Sequence, residues 1–282
     1  MIARVLAPLL VIAALTGCTR GVGSAAPTTS GGVPPTVSVA VADFPSAWLA
    51  QRVGGDAIDV REVGAADLRT SGADLVAYVP DINPDVDAAV ATLPTETVVD
   101  LTADIKRLAD PRDREKRDPY VWFDPVNVAT MAGTLAKTMA KVNRVPYMAT
   151  QYYGVRSLDV EADSLAVDQR LQEILSPCRI PTLVVEAPVL GYLARAYAFD
   201  QVPLILWKPQ REPVRALYFT IDAEAAVRAQ AAMYDVKALP VDTLTEKAPN
   251  DDLLQGVLDT GQEIADHQDC PLVVPSATDR PG

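Results

Sequence analysis

What most restricts the fold is an alternation that runs twice. Short β-branched segments take turns with helical patterns from Thr36 to Val99, and again from Thr182 to His267, with long helical stretches between the two series. In the first series, residues 37–41, 57–63, 73–79 and 97–99 predict strands. A helix over 45–53, closed by Gly54-Gly55, and another opening at Asn83-Pro84 predict the crossovers. The second series predicts strands over 182–186, 202–206, 216–221 and 236–241. Its helices cover 189–197, 222–234 and 251–267, the last built on Leu254, Val257, Leu258, Gly261 and Ile264. Between the series, Asp124-Pro125 supplies an N-cap and a first-turn proline, and Val128, Met131, Ala132, Leu135, Met139 and Val142 follow at helical spacing. Residues 146–175 continue as a helix of about 45 Å, with Met148, Tyr152, Val155, Ala162, Leu165 and Leu171 expected on one side. Alternation of this kind gives parallel sheets covered by helices. The chain is therefore expected to be α/β, with two lobes, 36–145 and 177–282, each a mainly parallel sheet flanked by helices. One long rigid helix, 146–176, joins them. A ligand would lie in the cleft at the C-terminal ends of strands from both lobes.

The first 17 residues have a different character. Arg4 precedes an apolar run from Val5 to Leu15, too short for a helix to span a bilayer but of signal-peptide proportions. The tetrad Leu15-Thr16-Gly17-Cys18 resembles a bacterial lipobox, which implies cleavage before Cys18 and a lipid on its sulfur. Residues 18–35, almost wholly Gly, Ser, Thr, Pro, Ala and Val after the cysteine, read as a flexible tether. The expected location is the extracytoplasmic face of the cell membrane, held by the lipid. In that oxidising compartment the remaining pair, Cys178 and Cys270, is expected to form a disulfide.

Composition then removes whole classes of chemistry. The 282 residues contain one histidine, His267, and three cysteines, so neither a three-histidine zinc site nor a His–Cys zinc finger can be built. A net charge of −12 without a basic patch argues against a nucleic-acid partner. There is no Gly-x-Ser-x-Gly, no Walker-type loop and no reactive cysteine paired with a histidine, so the chain is expected not to be an enzyme. Glu186 and Asp242 could form a glycosidase-like pair only with a sugar platform, for which Trp48, Trp122 and Trp207 are the aromatic candidates. His267 is expected to close the last helix, where a cation suits the helix dipole. The mixed-charge run Asp110 to Arg117 reads as a solvated loop.

The segment Asp118-Pro119-Tyr120-Val121-Trp122-Phe123-Asp124-Pro125 resembles the "DPHxWLDP" signature of the zinc- and manganese-binding solute-binding proteins of ABC transporters, the TroA-like group. Other stretches agree in order: Val39 to Phe44 with Gly54-Gly55-Asp56, Ala73 to Val76, Gly191 to Tyr197, and Leu239 to Leu244. The resemblance covers nearly the whole chain after the signal. It implies two α/β lobes, a rigid connecting helix, a metal held between the lobes by four loops, and delivery of that metal, zinc or manganese, to an ABC permease. No resident cofactor is implied, and the receptor is expected to be a monomer.

Carried over one residue at a time, the resemblance implies a depleted ligand set. The first family histidine falls in a loop that is missing between Val63 and Ala73. The second is replaced by Tyr120. The third falls on Ala187, with Glu186 one residue away. The fourth, an acidic residue, matches Asp242. Zinc prefers nitrogen and sulfur donors, and a neutral phenol is a poor ligand, whereas manganese or calcium accepts carboxylates with waters and carbonyls. Two functional readings stay open: a solute receptor with an altered metal site, or a degenerate receptor serving as a binding or assembly module at the envelope.

Overall fold

The computed structural model describes residues 36–175, 177–210, 214–247 and 251–271. The proposed signal peptide, Cys18 and the tether lie outside them.

Two four-stranded parallel sheets are built to the same plan. The first comprises β1 (Val37–Val41), β2 (Ile58–Glu62), β3 (Leu75–Tyr78) and β4 (Val98–Asp100) in the order β2-β1-β3-β4. The second comprises β5 (Thr182–Val185), β6 (Asp200–Pro203), β7 (Ala216–Phe219) and β8 (Lys237–Pro240) in the order β6-β5-β7-β8. All pairings are parallel, with Val39 opposite Val60 and Leu75 in the first sheet and Val184 opposite Val202 and Leu217 in the second. A parallel strand is covered on both faces, which explains why the central runs Val37–Val41, Leu75–Tyr78 and Ala216–Phe219 are nearly all buried.

Helices α1 (Phe44–Gly54), α2 (Pro84–Val90), α3 (Pro125–Val142), α4 (Pro146–Leu175), α5 (Gly191–Ala196), α6 (Glu224–Met233) and α7 (Leu253–His267) make the crossovers and cover. Helices α2 and α3 start at the caps and prolines that the sequence predicts, and Asp43 caps α1 in the same way. Asp43 accepts from Ser46 N at 2.8 Å, Asn83 from Asp85 N at 2.9 Å and Asp124 from Val126 N at 3.1 Å, each satisfying an N–H that lacks a helical partner. The predicted apolar face of α3 is buried: Val128, Met131, Ala132, Leu135 and Met139 are fully enclosed.

The 30-residue α4 packs on α1 and α3 and also on α7, so one rigid rod braces elements that precede and follow it. Its buried residues are Ala149, Tyr153, Val160, Ser164, Leu171, Ile174 and Leu175. The expected stripe is thus corrected: Val155 is 56% and Leu165 48% exposed. A helix touching three others buries a broken set of small and large residues rather than one apolar stripe. The strand expected over 202–206 is also shifted. It runs Asp200–Pro203, and Leu204–Leu206 is a 3-10 turn with Ile205 and Leu206 at the surface. Pro203 has no N–H to extend a ladder.

Cys178 and Cys270 are bridged across 92 positions of sequence. Among the described residues, no helix is long and apolar enough to cross a membrane.

Candidate functional site

The residues marked by the sequence lie where the C-terminal ends of strands from the two sheets approach each other. Several contacts clasp this region. Trp122 Nε1 donates to Thr243 O at 3.1 Å, and Phe44 N donates to Thr245 O at 2.9 Å, so the loop after β8 is held by the signature segment and the start of α1. Tyr192 of α5 accepts from Leu108 N at 2.9 Å and donates to Asp118 O at 3.4 Å. Arg195 stacks over the Tyr192 ring and lies 3.7 Å from the Asp124 carboxylate. Gly191 sits directly against Asp118 Oδ2, with no room for a Cβ.

The four sequence-marked positions fare differently. Tyr120 precedes a 3-10 turn, Val121–Phe123, and its ring meets Trp122 edge-on at 5.6 Å. Burial pushes the phenol pKa up, with the charges of Asp118, Glu186 and Asp110 adding to the effect and that of Arg112 opposing it, so the ring carries its proton at neutral pH. Glu186 follows β5 and turns along its own sheet: its N–H donates to Tyr218 O at 2.8 Å, and its Oε2 accepts from Thr220 Oγ1 at 3.1 Å. Ala187 caps the turn Pro188–Leu190 and contributes only a methyl group. Asp242 is exposed, and its Oδ1 accepts from Leu244 N at 2.8 Å, closing a turn in which Leu244 has a φ of 56°. Among the described residues, no group of three or more His, Cys, Asp or Glu side chains is arranged to hold a metal ion. Tyr120 and Glu186 share one electrostatic neighbourhood; Asp242 is engaged with its own turn.

Three residues that reasoning from sequence passed over hold the centre of this region. The run read as a solvated loop is a tight hairpin: Ala109 bridges Arg117, Asp110 N donates to Lys116 O at 3.0 Å, and Asp118 N donates to Leu108 O at 3.0 Å. Its middle is exposed, but Asp110 and Asp118 are buried at 6% and 1% exposure. Asp110 accepts from Arg112 through both carboxylate oxygens, at 3.2 Å from Nε and 3.1 Å from Nη2. Burial would raise the Asp110 pKa, but the hydrogen bonds and charge of Arg112 outweigh it and hold the carboxyl below its usual range. Among the described residues, Asp118 has no such counterion in contact, though the charges of Arg107 and Arg112 reach it. It accepts from Tyr120 N at 2.9 Å, and burial pushes its pKa up to about 7.

A family model described as zinc-uptake complex component A, periplasmic (ZnuA), matches residues 62–257. The chain belongs to the ZnuA family. Solved structures agree on the fold. A ZnuA crystal structure is 19% identical with a TM-score of 0.67, over 83% of this chain and 99% of that one. The laminin-binding adhesin Lmb of Streptococcus agalactiae is 16% identical with a TM-score of 0.69, over 82% and 99%. The metal-dependent lipoprotein YcdH of Bacillus subtilis is 17% identical with a TM-score of 0.66, again over 82% and 99%. No curated protein matches. ZnuA-family membership makes the chain a solute-binding component of ABC transport rather than an enzyme. Trp48, Trp122 and Trp207, the aromatic candidates for a sugar platform, are all buried. His267, the only histidine, lies outside this region at the end of α7, with Nδ1 2.9 Å from Glu263 O and Nε2 3.0 Å from Lys237 Nζ.

Proposed function

We propose that the chain is an extracytoplasmic solute-binding lipoprotein of a metal-type ABC importer, tethered through Cys18, whose metal site has been altered so that zinc is not held by the family's ligand set. Residues 1–17 are the signal peptide, 18–35 the tether, and 36–145 and 177–282 the lobes, joined by 146–176. The permease of that importer is its partner, and the receptor works as a monomer. The carrying observation is the state of the marked positions in a ZnuA-family chain: a protonated phenol at Tyr120, a methyl at Ala187, Glu186 bound to Thr220, and Asp242 closing a turn. Zinc prefers nitrogen and sulfur donors, which one remote histidine cannot supply.

Thermal unfolding with zinc, manganese or calcium is the test. A ligand at a hundred times its Kd stabilises by about 2.7 kcal/mol, which raises the midpoint of a chain this size by about 5–10 °C. The expected result is no rise with any of the three. A rise that Asp242→Ala abolishes would instead establish a working metal site and refute the altered-site reading. The alternative role, an envelope binding or assembly module, is favoured by the clasp of Trp122 on Thr243 and of Phe44 on Thr245, which restricts opening of the cleft. Loss of solute uptake on deleting the gene supports the receptor; unchanged uptake with altered envelope assembly supports the module.

A further inference from the structure

Helix α4 carries an apolar stripe that its own fold does not cover. Met148, Val155, Leu158 and Leu165 are between 38% and 60% exposed, and with Gln151 and Ala162, also exposed, they recur at alternating spacings of three and four residues. That is the pattern of a helix whose seam meets another helix. The buried residues Tyr153, Val160, Ser164 and Leu171 lie on the opposite side, so the stripe points away from α1, α3 and α7. Single apolar side chains in water need no explanation, but four in one register along one helix do. The charges beside the stripe are sorted by end. Lys137 and Lys141 of α3 line one groove with Pro146, Thr150 and Gly154, beside the N-terminal half of α4, and exposed Arg144 precedes that half. Asp159, Glu161, Asp163 and Asp168 follow on the C-terminal half, with no Lys or Arg between Arg156 and Arg170. Some of these charges are engaged within the fold: Asp163 pairs with Arg52, Arg170 pairs with Glu173, Arg156 donates to Arg52 O at 3.0 Å, and Asp168 accepts from the Tyr197 hydroxyl at 2.9 Å. Among the described residues, Lys137, Lys141, Asp159 and Glu161 have no ion-pair partner. A surface that is basic at one end and acidic at the other complements itself when turned end for end.

We infer that the outer face of α4 is a self-association surface that takes a second copy of this chain, the two α4 helices running antiparallel. One register satisfies the whole stripe: Met148 faces Leu165 of the second copy, Gln151 faces Ala162 and Val155 faces Leu158, and the twofold axis repeats each pair. The same register sets Lys137 level with Glu161 of the second copy and Lys141 level with Asp168. A parallel copy would instead set like charges side by side. One helix per copy presents fewer than the roughly 20–30 residues a side of a stable dimer, and a net charge of −12 on each copy adds a repulsion that salt screens, so the association is weak and reversible. Two copies tethered to one membrane, as proposed above, meet at a far higher effective concentration. The seam uses none of the marked positions, so each copy keeps its own site and remains the working unit of transport.

Sedimentation velocity of the full-length protein at physiological salt, over rising concentration, is the test, with variants at three exposed positions. Wild type should show a reversible monomer–dimer equilibrium. Leu158→Glu should abolish it, because the axis places that residue in the seam twice. Lys137→Glu and Glu161→Lys each turn two attractions into repulsions and should each weaken the dimer about tenfold. An equimolar mixture of these two variants should restore the wild-type affinity, because every acidic end then meets a basic one. Thermal midpoints of the separate variants equal to that of wild type would show that the fold is kept, and the charge variants decide if Leu158→Glu does not fold. A wild type that stays monomeric at every concentration, association that Leu158→Glu leaves unchanged, or a mixture no tighter than its components each overturns the inference.

Discussion

Asp118 shows how one buried carboxyl can carry a pH dependence. Its Oδ1 accepts from the Tyr120 N–H and its Oδ2 lies against Gly191; among the described residues no cation forms an ion pair with it, so burial outweighs the charges of Arg107 and Arg112 and its pKa rises to about 7 from an ordinary 3.8. The folded protein then holds this proton more tightly than the unfolded chain does. Stability from this group is fully present below about pH 4 and is lost as the pH rises toward 7, by at most about 4 kcal/mol. Asp43, raised to about 6 by burial despite hydrogen bonds from Ser46, acts in the same direction. Asp118→Asn keeps an acceptor for Tyr120 N and removes the titration. Urea unfolding should find this variant more stable than wild type at pH 8 by about 2 kcal/mol and equal to it near pH 4. The difference between the two proteins is the readout, since a net charge of −12 makes acidification favourable for both. Parallel pH curves would show that Asp118 is not the group responsible.

Among the elements, α4 carries the most consequence, because it packs on helices from both ends of the chain. Its contact with α7 depends on Gly261, whose missing Cβ is replaced by the side chain of buried Leu171, with Leu175 beside it. Gly261→Val should cost about 1–2 kcal/mol, the overpacking penalty less a small gain in helix propensity, and Gly261→Ala less again. Denaturant midpoints of the two variants would check this; equal stability of valine and wild type would mean that α7 slides on α4 freely. The α4 register also marks the boundary of what was legible in the sequence. The central strands were legible because each is a short apolar run buried on both faces, and the starts of α2 and α3 because Asn83 and Asp124 cap locally. The buried face of α4 was not, because Ala149 and Ser164 face the core while Val155 and Leu165 face solvent. The position of Arg112 was not legible either. Its run looks like a charged loop, and its partner at Glu186 is separated by 74 residues, so no local spacing reports the contact. The marked positions themselves were found through the Asp118–Pro125 segment, which made Tyr120 visible as a departure.

At the scale of the whole molecule, the segments that follow α4 and α7 are joined by two backbone hydrogen bonds, an ion pair between Arg179 and Asp269, and a disulfide. Arg179 N donates to Asp269 O at 3.2 Å, Ile180 N donates to Gln268 O at 3.1 Å, and Cys178 is bonded to Cys270. The two backbone bonds already place these segments side by side, so the disulfide is not needed to position them in the folded state. Its main action is on the unfolded chain, where it closes a loop spanning the entire second sheet, across 92 positions. Loop-closure entropy for that length corresponds to roughly 4–5 kcal/mol, about twice the worth of the two hydrogen bonds beside it. Replacing both cysteines by alanine should therefore lower the thermal midpoint by about 10 °C while leaving the native circular dichroism spectrum unchanged. A spectrum altered under native conditions would show instead that the bridge is required to form the second sheet. An unchanged midpoint would show that the unfolded chain is already restrained, with α4 and α7 remaining associated after the strands have come apart.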